Sequence, residues 1–84
     1  MSAPVEPVPV VVDARGLRCP LPVIRLAQAA ADLPADSVVV LLATDVATRH
    51  DVPAWARMRG HQWVGVEEEP GGDLRLTVRL VARP

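Results

Sequence analysis

The run Ser37-Val38-Val39-Val40-Leu41-Leu42-Ala43 restricts the possible folds more than any other stretch of the chain. It is continuously apolar, of strand length, bounded by turn residues and too rich in Val for a helix, so it fits an interior parallel strand buried at least partly on both faces. Such a strand needs a neighbour on each side and a layer above it. Upstream, Val8 to Asp13 is short and β-branched, with Pro9 at its beginning suiting an edge position. Between these strands, Leu21 to Ala31 places Val23, Leu26, Ala27 and Ala30 on one helical face, extended by Ile24 and Ala31. Leu33-Pro34-Ala35-Asp36 then stops the helix. Strand, helix and strand at this spacing predict a right-handed parallel crossover.

Downstream, Thr44, Asp45 or Asp51 can cap the turns after the apolar strand. Asp51-Val52-Pro53 predicts the start of a second helix, with Val52, Trp55 and Met58 facing inward beside Ala56, and Gly60 ending it. Residues 61–69 predict a third strand and Pro70-Gly71-Gly72-Asp73 a turn. From Leu74 to Ala82, Leu74, Leu76, Val78 and Leu80 alternate with Arg75, Thr77, Arg79 and Val81. That period predicts a strand with one buried face and one mostly wet face, so both helices must share a side of the sheet. The expected fold is an α+β, two-layer βαβαββ sandwich. Glu67, Glu68 and Glu69 facing the last strand's arginines predict cross-strand pairs worth roughly a few tenths of a kcal/mol each.

A chain of 84 residues supports one small core and no enclosed substrate chamber, so any chemistry belongs at the surface. Residues 1–7 read as a disordered tail and 8–84 as a single domain. The core is expected to be aliphatic, because Phe and Tyr are absent and Trp55 and Trp63 are the only aromatics. Nine basic residues, all Arg, against ten acidic ones give a net charge of -1, which argues against direct nucleic-acid binding. Neither a signal peptide nor an apolar run of membrane-spanning length is evident, and one cysteine forms no internal disulfide, so the expected location is cytoplasmic, with no membrane partner. His50 and His61 do not make a zinc spacing with Cys19, and no metal or cofactor is expected.

Asp13-Ala14-Arg15-Gly16-Leu17-Arg18-Cys19-Pro20-Leu21-Pro22 joins the first strand to the first helix and sets the only cysteine at the join. A helix start leaves backbone N–H groups without intrahelical partners, so a thiol there is expected to ionise more readily than a free one. Pro20 suits the first turn, and Pro22 is early enough to remove no internal hydrogen bond. Residue types alone leave two readings open: a nucleophile, or a small buried thiol closing the helix start against the sheet. The crossover puts Cys19 and Thr44-Asp45 at one carboxyl edge of the sheet, where open sheets carry functional loops.

At Asp13-x-x-Gly-Leu-x-Cys-Pro-x-Pro the chain resembles the TusA/SirA/YedF-like family of small sulfur carriers. The resemblance continues through the first helix, Ala43-Thr44-Asp45, Asp51-Val52-Pro53-Ala54-Trp55 and Gly60-His61. It implies a four-stranded mixed sheet in the order 1-2-4-3 with two helices on one face, similar to the C-terminal domain of bacterial translation initiation factor 3. It also implies that Cys19 accepts persulfide sulfur from a cysteine desulfurase or rhodanese-type donor and relays it to an acceptor protein, in sulfur trafficking or transfer-RNA thiolation. In that role Pro20 and Pro22 set the helix start, Gly16 permits a positive φ, Asp13 ties the loop, and Asp45 closes it. Arg15 and Arg18 flank the thiol; Arg18, Leu21 and Arg25 are the expected partner contacts. Trp55 is read as core and His61 as a strand-start contact.

Leu21 stands where many relatives have a polar or acidic residue, and only Arg25 represents their basic cluster on the first helix. These departures weaken the case for the transfer-RNA branch and its usual acidic docking surface, and Leu21 suggests a more apolar contact around the thiol instead. Two other readings accompany the carrier: a regulatory protein interaction domain that never carries sulfur, and a minimal thiol oxidoreductase dependent on an external resolving thiol.

Overall fold

The computed structural model describes residues 8–82; the tail expected at residues 1–7 lies outside them. Six elements follow in the order β1 (Val10–Ala14), α1 (Leu21–Ala31), β2 (Val38–Ala43), α2 (Thr48–Arg59), β3 (Gln62–Glu68) and β4 (Leu74–Arg79). The sheet runs β1-β2-β4-β3. β1 is parallel to β2, and β4 is antiparallel to both β2 and β3. The apolar run therefore forms an interior strand, as its composition requires.

Register decides what each strand buries. Val12, Leu41 and Leu76 are neighbours across the first three strands, as are Ala14, Ala43 and Leu74. These side chains face the helical layer, where Leu26 of α1 and Val52, Trp55 and Ala56 of α2 complete the core. The core is aliphatic apart from Trp55, as the composition predicts. Glu67 lies opposite Arg75 in the register, but the ion pairs join Arg75 to Glu69, at 3.8 Å, and Glu68 to Arg49 of α2, at 3.5 Å. No helix among the described residues is long and apolar enough to cross a membrane.

Four sequence expectations change. α2 starts at Thr48, so Asp51 belongs to its first turn and Pro53 lies inside it. The cause is Asp45: its Oδ1 accepts the Ala47 N–H at 2.9 Å, and its carbonyl accepts the Thr48 hydroxyl at 2.7 Å, which starts the helix one turn early. The earlier start fixes the buried stripe as Thr48, Val52, Trp55 and Ala56, with Met58 pointing away, 80% exposed. Ile24 also faces outward, because Pro22 and Leu26 are the buried positions of α1. β4 ends at Arg79: beyond it, the Leu80 N–H and carbonyl bond to the Ser37 and Asp36 turn instead of extending the ladder.

Candidate functional site

β1 delivers the chain to the carboxyl edge of the sheet, and a short loop turns it into α1. Gly16 takes φ +81°, a conformation that side-chain-bearing residues rarely adopt. Its N–H donates to Thr44 Oγ1 at 2.9 Å, which ties the loop to the end of β2. Asp45 supplies the second tie, its Oδ2 accepting the Cys19 N–H at 2.9 Å. The expected closure of the loop by Asp45 is therefore a direct hydrogen bond to the cysteine backbone. That bond and the one from Ala47 hold the Asp45 carboxyl below its usual range, and Arg18 adds to the effect.

Asp13 and Arg15 form a self-contained pair. The Arg15 backbone N–H and Nε both donate to Asp13 Oδ1, at 3.0 and 2.9 Å, while Nη2 reaches Oδ2 at 2.8 Å. Asp73 approaches the same guanidinium at 3.7 Å. These bonds bring the Asp13 carboxyl down to about 2. Asp13 thus ties the loop, and Arg15 is occupied there. Arg18 and Arg25 are both exposed, and Arg25 lies near enough to Asp13 to add to the lowering of its carboxyl.

Cys19 is half-buried and reduced. Beside it, Gly16, Leu17, Arg18, Thr44 and Asp45 line an open cleft of about 270 Å³. The thiol's acidity is the reverse of the sequence expectation. Burial pushes it up to about 12, and the Asp51 carboxylate, which accepts from the thiol and opposes its ionisation by charge, adds to this, as does Asp45. The helix start cannot compensate. Pro20, the N-cap residue, and Pro22 carry no N–H, and the Leu21 N–H donates to the Arg18 carbonyl at 2.9 Å. The two prolines that shape the turn thus remove some of the donors that would have favoured a thiolate.

Asp51 was not legible as part of the site. Its sequence signals, a capping pattern and a place in the family resemblance, do not tie it to the thiol; it lies in the first turn of α2, facing Cys19. His61 lies away from the thiol: its Nδ1 accepts the Val81 N–H at 3.0 Å, and its ring meets that of Trp55 with centroids 5.2 Å apart. Among the described residues no cluster of His, Cys, Asp or Glu is arranged to hold a metal ion.

Comparison with known proteins agrees with this architecture. The model of the family described as sulfurtransferase TusA matches residues 10–80. The sulfur carrier protein TusA of Pseudomonas savastanoi pv. phaseolicola is 42% identical over 73 residues, covering 84% of this chain and 87% of the relative. YrkF of Bacillus subtilis is 40% identical over 70 residues, which cover 83% of this chain but only 37% of that longer protein. The crystal structure of a SirA-like protein from Desulfitobacterium hafniense superposes with a TM-score of 0.77 at 30% identity, over 87% of this chain and 99% of that one. With the strand order, the Cys-Pro-x-Pro turn and these matches in agreement, the chain belongs to the TusA family.

Proposed function

We propose that this protein is a sulfur carrier: Cys19 takes a sulfane sulfur from the persulfide of a donor protein and passes it to an acceptor protein. The observation that carries this reading is a single cysteine, half-buried beside an open cleft, on a loop fixed by Thr44 and Asp45. A carrier has to meet two partners in turn, which a half-buried thiol beside an open cleft allows and an enclosed chamber does not. The donor is of the cysteine desulfurase or rhodanese type, and the protein works in the reducing cytoplasm, where its one thiol stays free. The absence of a second cysteine speaks against an oxidoreductase that resolves its own intermediate.

In the loading step the Cys19 sulfur attacks the outer sulfur of the donor persulfide. The donor S–S bond breaks, a bond forms between Cys19 Sγ and the transferred sulfur, and the donor cysteine leaves with the electron pair and takes up the proton. No net oxidation occurs. In the delivery step an acceptor thiolate attacks the same outer sulfur, and Cys19 leaves and is reprotonated. Burial, with Asp51 and Asp45, keeps the resting thiol protonated, which protects it from stray electrophiles until a partner covers it. Asp13, Arg15 and Gly16 hold the loop, Pro20 and Pro22 hold the helix start, and Arg18, Leu21 and Arg25 meet the partner.

Intact mass after incubation with a cysteine desulfurase and cysteine, or with a rhodanese and thiosulfate, tests the reading. The expected result is a gain of one sulfur, about 32 Da, reversed by reductant and absent in Cys19→Ala. No such species with either donor overturns sulfur carriage and favours an interaction domain.

A further inference from the structure

Once loaded, Cys19 holds two sulfurs that an acceptor thiolate can attack, and only one attack delivers the cargo. Attack on the outer sulfur breaks the S–S bond, forms a persulfide on the acceptor and expels Cys19 as a thiolate, which is then reprotonated. Attack on the inner Sγ forms a disulfide between Cys19 and the acceptor and expels hydrosulfide with the electron pair, so the cargo is lost and the carrier is blocked. Each displacement consumes one thiolate and releases one sulfur anion, and neither needs an outside oxidant or reductant. Leaving-group ability favours the wasteful one: the Cys19 thiol is pushed up to about 12, so its thiolate leaves less readily than hydrosulfide, the weaker base. The site has to oppose that preference.

Displacement at sulfur runs in line, with the nucleophile arriving opposite the bond that breaks. Cys19 is half-buried, so an added sulfur takes its open side and a nucleophile in line for Sγ has to arrive from the protein side. Two carboxylates adjoin Cys19. Asp45 is fixed by the Cys19 and Ala47 N–H groups, each at 2.9 Å, and Asp51, in the first turn of α2, accepts from the thiol. Among the described residues neither is in an ion pair, and Arg18 acts on Asp45 only at longer range, so both charges bear on an incoming anion. We propose that Asp45 and Asp51 decide which sulfur of the loaded carrier reacts: they guard the inner sulfur against thiolates and so turn the acceptor to the outer one. The inference rests on the carrier reading and gives two carboxylates of that same site a specificity role.

The test loads the protein with a cysteine desulfurase and cysteine, removes both, and adds an equimolar small thiol of either charge, mercaptopropionate or cysteamine, before an acid quench. Intact mass separates the products: free Cys19 records attack on the outer sulfur, and a disulfide of Cys19 with the small thiol records attack on the inner one. The unaltered protein is expected to return mostly free Cys19 with mercaptopropionate, and a several-fold larger disulfide share with cysteamine, whose ammonium group the carboxylates attract. Asp51 is the residue to vary, because Asp45 also holds the loop. Asp51→Asn is expected to raise the disulfide share with mercaptopropionate several-fold and to narrow the gap between the two thiols, and Asp51→Glu to restore both, a charge dependence that a merely structural role does not produce. Circular dichroism checks that each variant stays folded. Salt at about 500 mM is expected to narrow the same gap in the unaltered protein, which tests the role without any variant. Equal disulfide shares with the two thiols, or Asp51→Asn partitioning like the unaltered protein, overturn the guarding role and leave carriage standing. If the unaltered protein takes up no sulfur, the carrier reading falls and the guarding role with it.

Discussion

Cys19 shows how far a residue's neighbours outweigh its position in an element. A thiol at a helix start is ordinarily more acidic than a free one, yet here burial and two nearby carboxylates raise it, while two prolines and an internal hydrogen bond thin out the helix donors. Removing one of the charges makes the thiolate less costly, so Asp51→Asn is expected to move the pH midpoint of Cys19 alkylation down from about 12 toward the free-thiol range near 8.5. An unchanged midpoint would assign the shift to burial and Asp45. The same reasoning runs in the other direction at Asp13, where Arg15 lowers the carboxyl from 3.8 to about 2. A carboxyl depressed by folding favours the folded state above its ordinary value, and that contribution is lost as the pH falls through the depressed one. The Asp13 carboxyl is therefore expected to titrate near 2 by NMR, and Arg15→Ala to return it toward 3.8. Both side chains are half-exposed, so the gain in stability is small.

Among the elements, those with a strong period were legible from residue types and those set by a cap were not. The alternation of Leu74, Leu76 and Val78 and the unbroken Val38–Ala43 run gave the central strands, because burial on one or both faces imposes its own pattern. α2 starts one turn before the Asp51-Val52-Pro53 pattern that imitates a helix start, because Asp45 organises the turn ahead of it: its carboxylate accepts the Cys19 and Ala47 N–H groups at once, and its carbonyl accepts the Thr48 hydroxyl. That dual use is a tertiary fact, and it explains why Asp51 escaped the reading of the site. The far end of α2 followed its sequence signal: Gly60 takes φ +74° and its N–H returns to the Ala56 and Arg57 carbonyls. No atom lies within 4 Å of where a Cβ would be, so Gly60→Ala costs backbone strain alone. Chemical denaturation is expected to show a loss of about 1 kcal/mol with loading by the sulfur donor unchanged.

At the scale of the whole molecule, one helical layer on one sheet leaves the outward face uncovered, so Val11 at its edge is exposed, while Val40 beside it on the interior strand is buried between its neighbours. The strand order entered with the family resemblance, since residue periodicity fixes faces but not neighbours; the placement of Cys19 at the carboxyl edge followed from the crossover alone. With no Phe or Tyr in the chain, the sheet side of the core depends on a few aliphatic contacts, of which Leu41 against Leu76 is central, both fully buried on adjacent strands. Leu76→Ala is expected to cost about 2–5 kcal/mol, a large share of the roughly 5–15 kcal/mol that a small domain has in total. If residues 8–84 form one cooperative unit, urea unfolding followed by tryptophan fluorescence and by far-ultraviolet circular dichroism will coincide. The fluorescence reports Trp55 and Trp63 in the helix-facing layer, and the circular dichroism reports the whole backbone. Leu76→Ala should then lower both midpoints together, because the same buried leucine supports both helices and the strands beneath the site. Separate transitions would show that the cysteine loop and the central strands do not share one core, and the rigidity that a sulfur carrier needs at Cys19 would have to come from the Thr44 and Asp45 ties alone.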